Sequence, residues 1–504
     1  MIDAVFINPN SSKFAYQKLA DKYAAIEPPT WALLLAESCR SKGFKVAIID
    51  CDAEKLSNLQ AIQRIKDLNP RYSVFTVYGQ NPNSGTVNMS GATLLAKDLK
   101  EEDLDTKICF VGSHTSAQPK EVLSLSYVDI VLTNEGVYAL HNLLSLSNSS
   151  YLKKLKGIGF KEENKIVLNE PEKIVPQEKM DQDLPGYAWD LLPYKKKPLD
   201  LYRAHYWHTK FDDNIRTPFA SLYTSLGCQF SCNFCMINII NRNSNSDHIN
   251  SSHSKGMRFW SPEFISKEFL KLREMGVKAI RISDEMFFLN KKYYNPLLTK
   301  ISELDLGLNL WAYSRIDTVR EDQLELFKNA GVEWLALGIE AGNQTVRHEV
   351  SKGSFKDINI RDVCKTIENF DINIISNYIF GLSEDNEDTM KDTLNLALEL
   401  NTEMANMYPC QALPGSPIYH FAKNNNWELP NSYEGYGFLS YDSQPLRTKF
   451  LAADKVLKFR DESWNKYFTS KNYLNKVEKK FGSQQKDNII EMSKIKLKRK
   501  LLGD

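Results

Sequence analysis

Over the first 147 residues, short apolar runs alternate with stretches whose apolar positions recur at helical spacing. Residues 4–8 form the first run, which ends in the turn signal Asn8, Pro9, Asn10, Ser11, Ser12. A helix fits residues 30–42 and stops at Gly43, where a left-handed cap costs little. Residues 46–50, 73–78, 108–112 and a short 129–132 supply four more strands. Between the second and third strands, Leu59, Ile62, Ile65 and Leu68 mark one face of a helix. Near-continuous apolar strands separated by amphipathic helices predict a parallel, Rossmann-like (flavodoxin-like) sheet covered on both faces. Ligands of such sheets bind beyond the carboxyl ends of the strands, here 9–12, 51–52, 79–84 and 113–118.

Residues 148–215 read as a connector, with a small hairpin over 157–168 followed by prolines and Trp189 in irregular chain. Over 216–422 the alternation returns with longer periods. Strands are predicted at 220–225, 279–283, 309–313, 334–338, 374–380 and 405–408, with helices such as 262–275, 321–329 and 387–400 between them. About six βα units of this kind predict a partial (β/α)6 barrel, so the fold class is α/β. Residues 423–504 read as helical, with Val456, Leu457, Phe459, Trp464 and Phe468 on a face packed against the barrel. The basic end, Lys494 to Lys500, reads as a solvated tail.

Composition narrows the class. The chain has 504 residues, 42% hydrophobic, enough for a large core. Its 64 basic and 63 acidic residues leave a formal charge of +1. That balance argues against nucleic acid or an anionic membrane as a global electrostatic partner. The longest apolar runs are far too short to cross a bilayer, and the start lacks the basic region of a signal peptide. A cytoplasmic protein with reduced thiols is expected, since eight cysteines are too sparse for a disulfide framework.

Three of the eight cysteines fall within eight positions. Cys228, Cys232 and Cys235 form C-x3-C-x2-C just after the first predicted barrel strand. Clustered thiolates in a reduced compartment suit soft metals, zinc or iron–sulfur. A [4Fe–4S] cluster normally takes four thiolates, so three in one loop leave one iron open. A distant fourth ligand, Cys364 or Cys410, would instead complete the cluster and make a plain electron carrier.

With the aromatic Phe234 before the last cysteine, this loop resembles the signature of the radical S-adenosylmethionine (SAM) enzymes. The resemblance implies an open iron that chelates SAM and a cluster electron that cleaves it to a 5′-deoxyadenosyl radical. Further segments follow in the order the family would have them. Asp284 and Glu285 resemble the acidic motif for the SAM ammonium, and Arg315 the arginine for its carboxylate. Glu340 resembles the ribose-binding glutamate, while Tyr378 and Gly381 resemble the segment lining the adenine.

A Rossmann-like domain ahead of such a barrel is similar to the cobalamin-binding subfamily. The usual D-x-H-x-x-G motif is absent, so the first loop brings no histidine to cobalt. Asn10, Gln80, Asn81 and His114 are the corrin contacts implied by loop position. The absence of G-x-G-x-x-G after the first strand argues against a dinucleotide. The expected cofactors are therefore a [4Fe–4S] cluster, SAM and cobalamin. The expected reaction is methylation of an unactivated carbon of a small molecule, with flavodoxin or ferredoxin as reductant. Cyclisation, ring contraction or rearrangement is the alternative within the family, and a non-catalytic electron-transfer protein the alternative outside it. No catalytic residue is singled out.

Overall fold

The computed structural model describes residues 2–146, 149–163, 165–244, 249–350, 355 and 357–504. The amino-terminal sheet has seven strands: β1 (Ile2–Asn8), β2 (Val46–Asp50), β3 (Pro70–Val77), β4 (Lys107–Gly112), β5 (Ile130–Leu132), β6 (Ile158–Glu162) and β7 (Lys165–Leu168). Their order is β2-β1-β3-β4-β5-β6-β7. The first five are parallel, as the apolar runs predict, and Val5, Phe6, Val74, Phe75 and Phe110 are wholly buried. Helices Thr30–Ser41, Asn58–Leu68 and Gly85–Glu101 cover the two faces.

The hairpin expected in a connector is instead part of this sheet. β6 pairs antiparallel with β5, through Ile130 and Phe160, and β7 follows it. The physical reason is the otherwise open edge of β5, whose Val131 and Leu132 are fully buried. Asn164, in the hairpin turn, and residues 147–148, at the expected domain boundary, lie outside the described residues.

The second sheet holds six parallel strands, β8 (Phe219–Leu222), β11 (Ala279–Ile282), β12 (Asn309–Arg315), β13 (Val332–Glu340), β14 (Asn373–Phe380) and β15 (Met404–Pro409). They run in sequence order from edge to edge, an open half-barrel. Between β8 and β11 the chain makes a two-stranded ribbon, β9 (Ser225–Cys228) and β10 (Gly256–Phe259). The predicted run 220–225 is therefore split. Asp284 takes the Thr224 amide at 2.6 Å, its hydroxyl at 2.7 Å and that of Ser225 at 2.5 Å. These bonds draw the chain out of the sheet and start the cysteine loop on the ribbon.

Period-two alternation turns one residue in two of each strand inward. Tyr313 and Arg315 of β12, Gly338 and Glu340 of β13, and Asn377 and Ile379 of β14 face a common cavity. Helices Ala453–Phe468, Lys471–Phe481 and Ser483–Ser493 then pack back on the barrel. Tyr467 and Tyr473 are buried and donate to the carbonyls of Thr402 and Glu403.

The basic end does not behave as a solvated tail. Arg499 is only 1% exposed and binds Asp461 at 2.9 and 3.0 Å. It also donates to the carbonyls of Phe438 and Ser440 at 3.1 and 2.9 Å. Gln17 of the first domain bonds the carbonyls of Leu439 and Lys498 at 2.8 and 3.0 Å. One buried guanidinium thus converts a charged sequence into a clasp. The lysines around it stay exposed, and that alternation hid the clasp from a reading of charge alone.

Two buried ion pairs join the sheets. Arg281 of β11 donates to both oxygens of Glu27 at 2.8 and 2.7 Å and to the Tyr313 hydroxyl at 3.0 Å. Arg258 of β10 meets Glu135 at 2.7 Å.

Candidate active site

The carboxyl ends of both parallel sheets open onto one cavity of about 820 Å³. Its lining comes from both sheets and the carboxyl-terminal helices. Cys228, Cys232 and Cys235 all face it, together with Phe234. The loop that carries them is held by amides. The Cys228 amide donates to Asn238 Oδ1 at 2.9 Å, and Asn238 Nδ2 donates to the Phe230 carbonyl at 3.2 Å. Backbone N–H groups point at the sulfurs: Phe230 at Cys228 (3.4 Å) and Ile237 at Cys235 (3.5 Å). Donors of this kind stabilise thiolate ligands. Burial pushes each of the three thiols up to about 12. A bound cation would therefore favour the thiolate form here.

Among the described residues, no three ligating side chains converge as around a single ion. The three thiols are set around the cavity wall, the arrangement a polynuclear cluster needs and a single zinc does not. Cys364 is buried in the core away from this wall. Cys410 does line the cavity, but its charged neighbour is Asp385, while the three loop thiols act on one another. The donor set fits a [4Fe–4S] cluster held by three cysteines.

Two carboxylates share this end of the cavity. Glu285 follows β11 and Glu340 ends β13, and among the described residues neither has a hydrogen bond or ion pair. Burial raises each to about 7, with Arg281 opposing the shift at Glu285 and Arg315 at Glu340. Glu340 takes φ +65°, at a register shift between β13 and β14. A Cβ on Gly338 would sit 2.6 Å from its Oε1 and would push that carboxylate from its present place. Half-buried carboxylates whose side chains lack a partner suit a cationic ligand, and these two fit SAM.

Arg315 is engaged otherwise than the resemblance implies. It clamps Asp317 at 2.6 and 2.7 Å and lies 3.8 Å above the ring of Phe230. It lines the cavity and ties the cysteine loop to β12.

Three implied SAM contacts do not reach the cavity. Asp284 is turned inward on Thr224 and Ser225 and is raised to about 6 by burial. Its role is to shape the start of the cysteine loop, leaving Glu285 as the facing acid. Tyr378 points to the outer face of the sheet, as strand alternation requires between Asn377 and Ile379. Gly381, at φ +84°, gives its space to Val456, since a Cβ there would lie 2.3 Å from Val456 Cγ1. Its close approach serves the carboxyl-terminal helix.

The first sheet contributes differently. Gln80 and Asn81 face the cavity, alongside Asn8, Ser12 and Asn83. Asn10 does not line it, and neither does His114. The His114 ring bonds Thr86 at 3.2 Å through Nδ1 and Glu121 at 2.7 Å through Nε2, so both nitrogens are used. Tyr433 donates to the same Glu121, which locks the carboxyl-terminal segment onto the first domain. The acids of this edge are also satisfied: Asp50 by Asn8 and Tyr202, each at 2.8 Å, and Asp52 by Ser12 at 2.6 Å. What remains is a neutral rim of amides, suited to the amide-fringed corrin of cobalamin.

The sequence reading missed Asn83, Glu27, Arg281, Asn377 and Tyr408. Asn377 and Tyr408 were within reach of strand alternation, because each stands two residues from another inward position. Glu27, Arg281 and Asn83 work across domains, and no local spacing marks them.

Comparison with known proteins agrees with this geometry. Residues 16–144 match the B12 binding domain and residues 222–397 the Radical SAM superfamily. An uncharacterized methyltransferase of Pyrococcus horikoshii is 26% identical over 444 residues, 88% of each chain. The anaerobic magnesium-protoporphyrin IX monomethyl ester cyclase of Rubrivivax gelatinosus is 23% identical over 490 residues, 93% of this chain and 78% of that one. Among solved structures, the radical SAM methyltransferase TsrM of Kitasatospora setae, with cobalamin and a [4Fe–4S] cluster bound, has a TM-score of 0.63 at 16% identity. That match covers 84% of this chain and 78% of TsrM. The cobalamin-dependent enzyme OxsB, with aqua-cobalamin and SAM bound, has a TM-score of 0.65 at 14% identity, over 97% and 70% of the two chains. Among the described residues, no helix is long and apolar enough to cross a membrane. The chain thus carries a B12-binding domain followed by a Radical SAM domain, an arrangement that implies a [4Fe–4S] cluster, SAM and cobalamin as its cofactors.

Proposed function

We propose that this enzyme methylates an unactivated carbon of a small molecule held between its two sheets. The observation that carries this reading is the single cavity faced at once by Cys228, Cys232 and Cys235, by Gln80 and Asn81, and by the carboxyl-terminal clasp. Methyl donor, radical source and substrate would have to meet in one such space. When bound, the cluster and SAM supply a hydrogen-abstracting radical, and cobalamin supplies the methyl group.

The chain's own part is to bind, orient and exclude water. Cys228, Cys232 and Cys235 hold the cluster, while Glu285 and Glu340 attract the cationic groups of SAM. Gln80 and Asn81 present neutral donors and acceptors to the corrin. Phe438, Leu439 and Leu497, drawn in by Arg499, close the cavity on the solvent side and shield reactive carbon from water. A small reducing protein such as flavodoxin or ferredoxin would supply the electron.

The test is anaerobic reconstitution with iron, sulfide, hydroxocobalamin, SAM and dithionite. 5′-Deoxyadenosine is expected at once, and S-adenosylhomocysteine joins it when substrate is present. A loaded cluster that yields no 5′-deoxyadenosine overturns the radical assignment. The similarity to magnesium-protoporphyrin cyclases along 93% of this chain favours one second reading, a radical cyclisation. In that case product forms with 5′-deoxyadenosine and without S-adenosylhomocysteine.

A further inference from the structure

One side chain of the B12-binding domain touches the cysteine loop directly. Asn83 lies in the short turn Pro82–Ser84, at the carboxyl edge of the first sheet, just before the helix Gly85–Glu101. Its Nδ2 donates to Cys235 Sγ at 3.6 Å, and its Oδ1 accepts the Met236 N–H at 3.0 Å. The amide therefore grips the loop on two sides of one cysteine.

The turn itself is firmly placed. Ser113 donates to the Pro82 carbonyl at 2.5 Å, Asn88 Nδ2 to that of Ser84 at 3.1 Å, and the Ser84 amide to that of Asn81 at 2.9 Å. Gln80 and Asn81 of the same loop face the shared cavity. The stretch that offers amides to one cofactor thus ends on a ligand of the other.

We infer that Asn83 is a positioning residue through which the B12-binding domain sets the reduction potential of the cluster. The inference rests on the proposed cluster at Cys228, Cys232 and Cys235. An N–H donated to a ligand sulfur stabilises the reduced, more negative cluster and so raises its potential. Cys235 receives one such bond from its own loop, through Ile237, and one from the other domain, through Asn83. Of the two, only the Asn83 bond depends on how the domains meet.

The experiment is a redox titration of the reconstituted full-length protein, followed by the electron paramagnetic resonance signal of the reduced cluster. Two variants are compared with the parent after iron and sulfide are counted. Asn83→Asp keeps an oxygen for the Met236 N–H, removes the donor to sulfur and adds a negative charge. Asn83→Leu removes both bonds without adding charge. The midpoint is expected to move to more negative values in both, and further in Asn83→Asp. Loaded variants with an unmoved midpoint overturn the inference and leave the cluster assignment standing. Failure of both variants to hold iron also overturns it, since Asn83 would then serve assembly. A parent protein that takes up no cluster refutes the cluster reading itself, a result distinct from the other two.

Discussion

The two parallel sheets present their carboxyl edges to the same cavity, yet the edges are chemically opposite. The barrel edge carries three thiols and two half-buried carboxylates, Glu285 and Glu340, whose side chains have no partner among the described residues. The first-domain edge carries amides and hydroxyls, and its acids and its one histidine are already bonded within the protein. Unsatisfied buried charge is costly, so it persists where a ligand of opposite charge completes it. A neutral rim needs no such completion and binds by many weaker hydrogen bonds. One edge is thus built for a cationic ligand and a metal cluster, the other for a large neutral one. The same rule of ligands at strand ends serves both.

Substitutions can break this contrast. The largest effect is expected from Cys232→Ala, which removes a cluster ligand. Iron content should fall and 5′-deoxyadenosine formation should drop to background, as read by chromatography, while a cobalamin spectrum persists.

Next comes the pair that spans the two edges. Arg281→Met leaves Glu27 buried with only His205, at 3.7 Å, beside it, which should cost about 3 kcal/mol of stability in denaturant unfolding. The double variant Arg281→Met with Glu27→Leu should recover most of that loss.

Glu340→Gln should weaken SAM binding by about 10- to 100-fold, the scale of one charge-assisted hydrogen bond, measured by equilibrium binding. A pH series sharpens the same point. Glu285 and Glu340 both titrate near 7, and each loses its charge as pH falls through that value. Affinity for SAM should therefore rise from pH 6 to pH 8, by up to about tenfold per carboxylate. In Glu340→Gln that slope should lessen. A flat profile in the parent would show that these acids do not meet the cation.

The smallest effect belongs to the neutral rim. Gln80→Ala should weaken cobalamin binding by about 1 kcal/mol, several-fold in affinity, and leave 5′-deoxyadenosine formation unchanged. Equal losses of SAM and cobalamin binding in this variant would erase the contrast between the edges.

Much of this was legible from local pattern. Near-continuous apolar runs placed the strands of both sheets, because parallel strands covered on both faces are apolar throughout. The C-x3-C-x2-C spacing marked Cys228, Cys232 and Cys235, because three thiols on one short loop readily face one cavity. Glu285 and Glu340 followed from the resemblance of their strand-end segments to SAM-binding motifs.

Other assignments turned on orientation, which local pattern does not carry. Asp284 and Glu285 are adjacent and alike in charge, and only the fold shows that one braces Thr224 while the other faces the cavity. Tyr378 and Gly381 sit in a suitable segment, but strand alternation and the packing of Val456 turn them to other work. His114 lies on a suitable loop and is sealed by Thr86 and Glu121.

By itself the sequence determined the two α/β units, their order and the cysteine loop proposed to hold the cluster. Each of these rests on residues close in the chain, whose spacing is set by backbone geometry. Tertiary structure alone decided that both sheets share one cavity, that Arg499 is a clasp and that Asn83 reaches Cys235. Those are contacts between residues 38 to 481 positions apart, made by the packing of whole elements. No periodicity within either partner records them.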